Sequence, residues 1–145
     1  MAINFKILLI EDNPSERELT LRILKKSGGY DSETKVFKDG SDILEFVNSA
    51  EFPTELDKLP KVIFLDLLLP KISGIEVTRK IRKSEKMKTI PIVGISSLEQ
   101  KSRIQEAYEA GINSYILKQG SYEEYKKQLY SEVNYWLNLN QPINL

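Results

Sequence analysis

The sequence predicts an α/β domain in which five short strands form a parallel sheet and five helices cover both of its faces. Three observations predict it. Short apolar runs alternate with longer amphipathic ones along the chain. Val62–Leu65 is wholly apolar, as a central strand buried on both faces should be. Capping residues and turn residues stand at the joins between runs.

Phe5–Ile10 is the first apolar run, and it breaks at Glu11-Asp12-Asn13-Pro14. Asn13 suits a helix N-cap, with Pro14 at the first helical position and Glu16 completing a capping box. Leu19, Leu21, Ile23 and Leu24 give that helix a broad apolar face, and Gly28-Gly29 stops it. A weak strand follows at Thr34–Phe37. The next helix opens near Asp39-Gly40-Ser41 and carries Ile43, Leu44, Phe46 and Val47. The polar segment from Asn48 to Pro60, with two prolines, reads as a long loop.

The third strand, Val62–Leu65, ends at Asp66. Ser73 and Glu76 form a second capping box, opening a helix through about Ser84 with Val77 and Ile81 on its inner face. Pro91–Ile95 is the fourth strand, ending at Ser96-Ser97. Ser97 with Gln100 is expected to cap the fourth helix, which stops at Gly111. Ser114–Leu117 is the fifth strand, ending at Lys118. Ser121 with Glu124 opens a last long helix carrying Tyr125, Leu129, Val133 and Trp136.

Such alternation calls for a mostly parallel sheet covered on both faces. Right-handed crossovers then favour a doubly wound sheet, and of the doubly wound orders the flavodoxin-like 2-1-3-4-5 is the expectation. Its switch point lies between strands 1 and 3, where the crevice beyond the strand ends binds ligands. The chain reads as one domain with its core at about residues 5–138 and a short C-terminal tail.

Composition narrows the function. At 145 residues and 41% hydrophobic content, the chain can bury a core without metal or disulfide staples. It contains neither cysteine nor histidine, which removes thiol chemistry, the usual neutral-pH base and the commonest metal ligand. Any bound metal should therefore be a hard cation on oxygen ligands, such as Mg²⁺. Lys+Arg and Asp+Glu each number 21, so no general attraction for nucleic acid is expected. The N-terminus lacks a signal-peptide pattern, and no apolar run approaches membrane-spanning length. A soluble, cytoplasmic protein is the expectation.

On the predicted frame, strand 1 delivers Glu11 and Asp12 to one sheet edge, strand 3 Asp66, strand 4 Ser96 and strand 5 Lys118. Three acids so close repel unless protonated or neutralised by a cation. Carboxylates with a carbonyl form a plausible Mg²⁺ site. Lys118 adds a mobile positive charge and Ser96 a hydroxyl donor. That assembly suits phosphoryl transfer to a carboxylate, a step governed by electrostatics and needing no general base. Each residue alone has an ordinary explanation in capping, the helix dipole or solvated surface charge. Their joint placement on one edge does not.

These residues resemble the response-regulator receiver family. The acidic pair stands in LLIEDNP, and FLDLLLPKISG is similar to the family's D-x-x-[L/M]-P-x-x-x-G. Ser96 falls 30 residues after Asp66 and Lys118 falls 22 after Ser96, as in the family pattern, and AGINSYILK matches the join into strand 5. The resemblance implies that Asp66 is the phosphoacceptor and that Glu11, Asp12, Asp66 and the Leu68 backbone carbonyl bind Mg²⁺. It implies that Ser96 and Lys118 contact the phosphoryl group. Tyr115 occupies the aromatic switch position, which turns inward when that hydroxyl is recruited; an ordinary strand aromatic is the other reading. The family often carries Lys-Pro after strand 5. Here it is Lys118-Gln119, where a cis bond would cost about 2.5–4 kcal/mol, so a trans join is expected. Leu68 and Leu98 occupy the positions credited with tuning dephosphorylation, and both are apolar.

The long loop and the tail VNYWLNLNQPINL are similar to the single-domain phytochrome-associated receivers, partners of light-sensing histidine kinases. The resemblance implies a stand-alone regulator, not an enzyme on a separate substrate, that signals through helix 4, strand 5 and helix 5. Tyr122, Tyr125, Tyr130, Tyr135 and Trp136 cannot all be buried by one helical face, and Tyr and Trp favour interfaces. A homodimer through strand 5 and helix 5 is the expectation. Two other classes stay open: a pseudo-receiver that binds without phosphorylation, and a metal-dependent phosphatase with an aspartyl nucleophile. The latter usually carries an acid two residues after the nucleophile, where this chain has Leu68.

Overall fold

The computed structural model describes residues 4–143. Five parallel strands lie in the order β2-β1-β3-β4-β5, the flavodoxin-like order expected above. They are β1 (Ile7–Ile10), β2 (Thr34–Phe37), β3 (Val62–Asp66), β4 (Ile92–Ser96) and β5 (Ser114–Leu117). The helices are α1 (Pro14–Lys26), α2 (Gly40–Val47), α3 (Gly74–Lys83), α4 (Lys101–Ala110) and α5 (Tyr122–Asn134). After α5, Tyr135–Leu139 continues as a wider π-turn. No helix among the described residues is long and apolar enough to cross a membrane.

Successive strand residues point to opposite faces, so the central strands feed two cores. Leu8, Ile10, Ile63, Leu65 and Ile92 pack with Ile43 and Phe46 of α2, Val77 and Ile81 of α3, and Ala107 of α4. Ile7, Leu9, Val62, Phe64, Val93 and Ile95 pack with Ile23 and Leu24 of α1 and Leu129 and Val133 of α5. Nearly continuous apolar runs in β1 and β3 are thus needed, because neither face of those strands meets water.

Local capping explains where most helices begin. Asn13, Ser73 and Ser121 each accept a hydrogen bond from the backbone N–H three residues on, at Glu16, Glu76 and Glu124. Asp39 caps α2 through the N–H groups of Ser41 and Asp42. The fourth cap differs from expectation. Ser97 does not open α4; the helix starts at Lys101 behind Gln100, which makes no side-chain cap bond. Tertiary contacts hold the intervening loop instead, with the Leu98 N–H donating to Ser96 Oγ at 3.1 Å and Tyr115 Oη donating to the Leu98 carbonyl at 2.6 Å.

The segment read as a polar loop from Asn48 to Pro60 holds more structure than its prolines suggest. Leu56–Lys58 forms a 3₁₀ turn, and Phe52 is buried edge-on against Phe46 at 5.6 Å between ring centroids. Of the aromatic residues on the last helix, Tyr125 is buried while Tyr122 and Tyr135 stay exposed. Trp136 is half-buried and donates its indole N–H to Glu132 at 2.8 Å.

Candidate functional site

Parallel register brings the polar residues to one edge. Ile10 pairs with Leu65, Asp66 with Ile95 and Ser96 with Leu117, so Glu11, Asp66, Ser96 and Lys118 all arrive at the same end of the sheet. An open cavity of about 550 Å³ lies there, between β1 and β3 and reaching β5. Glu11, Asp12, Asp66, Leu68, Ser96 and Lys118 line it, as does Glu16. Tyr115 does not line it; its half-buried ring reaches the site through the Leu98 peptide.

Glu11, Asp12 and Asp66 each place a carboxylate oxygen within 4.8 Å of the other two. Glu11 is buried, Asp66 half-buried and Asp12 exposed. Burial raises the Glu11 carboxyl to about 8, and the adjoining Asp66 adds to the shift by hydrogen bonding and by charge. Burial likewise raises Asp66, with the Asp12 charge contributing, while the Leu68 N–H at 2.9 Å works the other way. Without a cation, burial and the neighbouring Asp66 thus favour the protonated form of Glu11. Three crowded carboxylate donors fit a hard divalent cation, which would offset their mutual repulsion.

Lys118 is half-buried on the opposite wall. Its ammonium pairs with the Glu16 carboxylate and lies 5.1 Å from the ring centre of Tyr125. Burial lowers its pKa, and the charge of Glu11 opposes that shift. The expected trans geometry at Lys118-Gln119 is observed, since no peptide among the described residues is cis. Ser96 is buried, and its Oγ accepts the Leu98 N–H.

Two residues of the site, Glu16 and Arg17, escaped the sequence reading as functional, and Gly74 entered it only as the last position of a motif. Glu16 looked like a capping partner, but the Asn13 N–H that it should satisfy is taken by Glu11 at 3.3 Å, and the Glu16 side chain goes to Lys118. Arg17 donates to the carbonyls of Glu11 at 3.0 Å and Asp12 at 2.8 Å, fixing the turn that presents both acids. Gly74 closes the Asp66 motif for a steric reason: a Cβ there would overlap the Asp66 carbonyl oxygen and Leu67 Cα. The motif spacing was a signal for Gly74. Nothing local distinguishes Glu16 or Arg17 from ordinary first-turn charges.

Known proteins resemble this chain over most of its length. Response regulator Rcp1 of Synechocystis sp. is 30% identical over 131 residues, covering 90% of this chain and 88% of that protein. The probable methanogenesis regulatory protein FilR2 of Methanothrix harundinacea is 32% identical over 137 residues, covering 94% of this chain and 86% of that protein. The crystal structure of the phosphorylated cyanobacterial phytochrome response regulator RcpA matches with a TM-score of 0.83 at 26% identity, covering 97% of this chain and 99% of that one. The Mn²⁺-bound form of Rcp1 matches at 0.78 and 26% identity, covering 94% and 96%. The family model of the response regulator receiver domain spans residues 7–130, β1 through most of α5, and so includes every strand that supplies the cavity: this chain belongs to that family.

Proposed function

We propose that Asp66 accepts a phosphoryl group from a sensor histidine kinase, with Mg²⁺, and that the chain signals by the resulting change in its own conformation. The observation that carries this reading is the meeting of the three acids with Ser96 and Lys118 around one cavity. An Asp66 carboxylate oxygen forms the new bond to phosphorus as the donor's bond to phosphorus breaks, and the donor departs with that electron pair. The attacking carboxylate has no proton to lose, so the absence of histidine is no obstacle.

Glu11, Asp12 and Asp66, together with the Leu68 carbonyl, are the proposed ligands of the cation. When bound, Mg²⁺ would offset charge on the carboxylates and on phosphoryl oxygens. Lys118 supplies the second cation of the site. Ser96 Oγ already accepts from the Leu98 N–H, which leaves its own O–H proton free to donate to a phosphoryl oxygen. Moving Ser96 would disturb the Leu98 peptide and with it the Tyr115 hydroxyl bond, which gives the aromatic a physical route to respond. The chemistry proposed is confined to the chain's own phosphorylation and dephosphorylation. A phosphatase acting on a separate substrate finds no support at Leu68, an exposed apolar residue where the acid would stand.

The names of RcpA and of other similar receivers point to phytochrome-type kinases as partners. For output, exposed Tyr108 on α4, Tyr122 on α5, and Tyr135 and Leu139 beyond it offer anchors for a second copy of the chain. Sedimentation of the phosphorylated and unphosphorylated protein tests that dimer, and Tyr135→Ala should weaken it. The test of the main reading is intact mass after incubation with acetyl phosphate. A gain of one phosphoryl group that requires Mg²⁺ and disappears in Asp66→Asn is expected; a gain that survives in Asp66→Asn would contradict it.

A further inference from the structure

We propose that Glu16 is a positioning residue that competes with the phosphoryl group for Lys118 and so sets how readily Asp66 is phosphorylated. The inference rests on the phosphoacceptor reading above and deepens it. Its geometric basis is the Lys118–Glu16 ion pair inside the cavity, which joins the end of β5 to the first turn of α1.

Three features hold the ammonium on that wall. Its carboxylate partner is Glu16, freed from capping because Glu11 takes the Asn13 N–H. The Tyr125 ring faces the ammonium at 5.1 Å. Tyr125 is itself fixed by the 2.9 Å bond between its hydroxyl and Thr20 on α1. Lys118 makes no ion pair or hydrogen bond with Asp66, Asp12 or Glu11 within the same distance limits.

An ordinary surface ion pair contributes little, because water screens both charges. This pair is less exposed than that: the side chains retain 23% and 35% of their accessible surface, and both border the cavity. Lysine carries a compact charge on a flexible stem, so it can serve either anion but not both at full strength. A phosphoryl group on Asp66 brings the greater negative charge and takes the ammonium. Glu16 then stands in water at the N-terminal turn of α1, where the helix dipole favours a carboxylate. The competing contact therefore stabilises the unphosphorylated state alone. It slows phosphorylation and leaves hydrolysis of the acyl phosphate unchanged.

The test measures two rates in the intact chain with saturating Mg²⁺. One is the second-order rate of phosphorylation by acetyl phosphate, in which the Asp66–phosphorus bond forms as acetate leaves with its electron pair. The other is first-order loss of the phosphoryl group after the donor is removed. Glu16→Gln should raise the first roughly threefold to fivefold, the scale of a partly exposed ion pair, and leave the second at the wild-type value. Binding of beryllofluoride, a phosphoryl mimic, should tighten by the same factor. Glu16→Ala provides a second variant with the same expectation, and Glu18→Gln, on the exposed face of the same helix beside Arg22, should match wild type throughout. Wild-type uptake with no acceleration in Glu16→Gln and Glu16→Ala overturns this inference alone. So does a change in both rates, which a general structural role would give. A wild type that takes up no phosphoryl group overturns the phosphoacceptor reading and this inference with it.

Discussion

Leu68 lines the cavity as an exposed apolar side chain, and Leu98 stands two residues beyond Ser96, its backbone N–H bound to the Ser96 hydroxyl. An acyl phosphate persists only while water is kept from the in-line approach, so the two leucines should prolong the signal. Leu68→Asn and Leu98→Glu should each speed loss of the phosphoryl group by about tenfold, a barrier change of about 1.4 kcal/mol, followed by intact mass after donor removal. Gly74 acts by absence. Because a Cβ would collide with backbone at Asp66 and Leu67, Gly74→Ala should destabilise the fold by about 3 kcal/mol in urea unfolding, an overpacking cost that the backbone cannot easily relieve. Residues such as these were legible from motif spacing. Glu16 was not: the local pattern assigns its side chain to the Asn13 N–H, which Glu11 takes, and its actual partner lies 102 positions away.

At the scale of elements, what could be read was what is decided locally. Asn13, Ser73 and Ser121 open their helices because the donor they satisfy is three residues on. Ser97 carries the same chemistry and does not cap, because Tyr115 and Ser96 take both polar groups of the Leu98 peptide and set where α4 begins. Arg82 is a second case of long-range control. From the end of α3 its guanidinium donates to the carbonyls of Gly111 at 2.8 Å, Lys88 at 3.0 Å and Ile90 at 2.9 Å, and to Asn113 Oδ1 at 2.8 Å. It ties together α3, the approach to β4 and the α4–β5 turn. Arg82→Ala should cost about 3 kcal/mol, the scale of charged hydrogen bonds lost at a partly buried site, and a thermal melt reads the loss directly. Arg82→Lys should recover only part of it, since an ammonium cannot span the same fork of acceptors.

At the scale of the whole molecule, alternation of runs pointed to a doubly wound parallel sheet, and the strand order expected for it gathers Glu11, Asp12, Asp66, Ser96 and Lys118 at one edge, as observed. The electrostatic state of that gathering depends on burial, which no local pattern reports. It couples the site to global stability. Glu11 titrates at about 4.5 when unfolded and is raised to about 8 in the fold. Between those values the unfolded chain has lost a proton that the folded chain keeps, so metal-free stability should fall as pH rises through this window and level off above it. At about 1.4 kcal/mol per pH unit the expected loss across the window is on the order of 5 kcal/mol by urea unfolding, and saturating Mg²⁺ should reverse most of it by binding the ionised cluster. Stability that rises with pH over the same window would contradict the account of Glu11.

The central claim is that Asp66 itself carries the phosphoryl group. Borohydride reduces an aspartyl phosphate to homoserine, leaving a stable mark at the modified position. The most direct measurement is therefore peptide mass spectrometry after acetyl phosphate treatment with Mg²⁺ and borohydride reduction. Homoserine at position 66, absent when Mg²⁺ is chelated, is the predicted result. Homoserine at Asp12 or Glu11's reduced counterpart in its place, or no reduced residue at all, would contradict it.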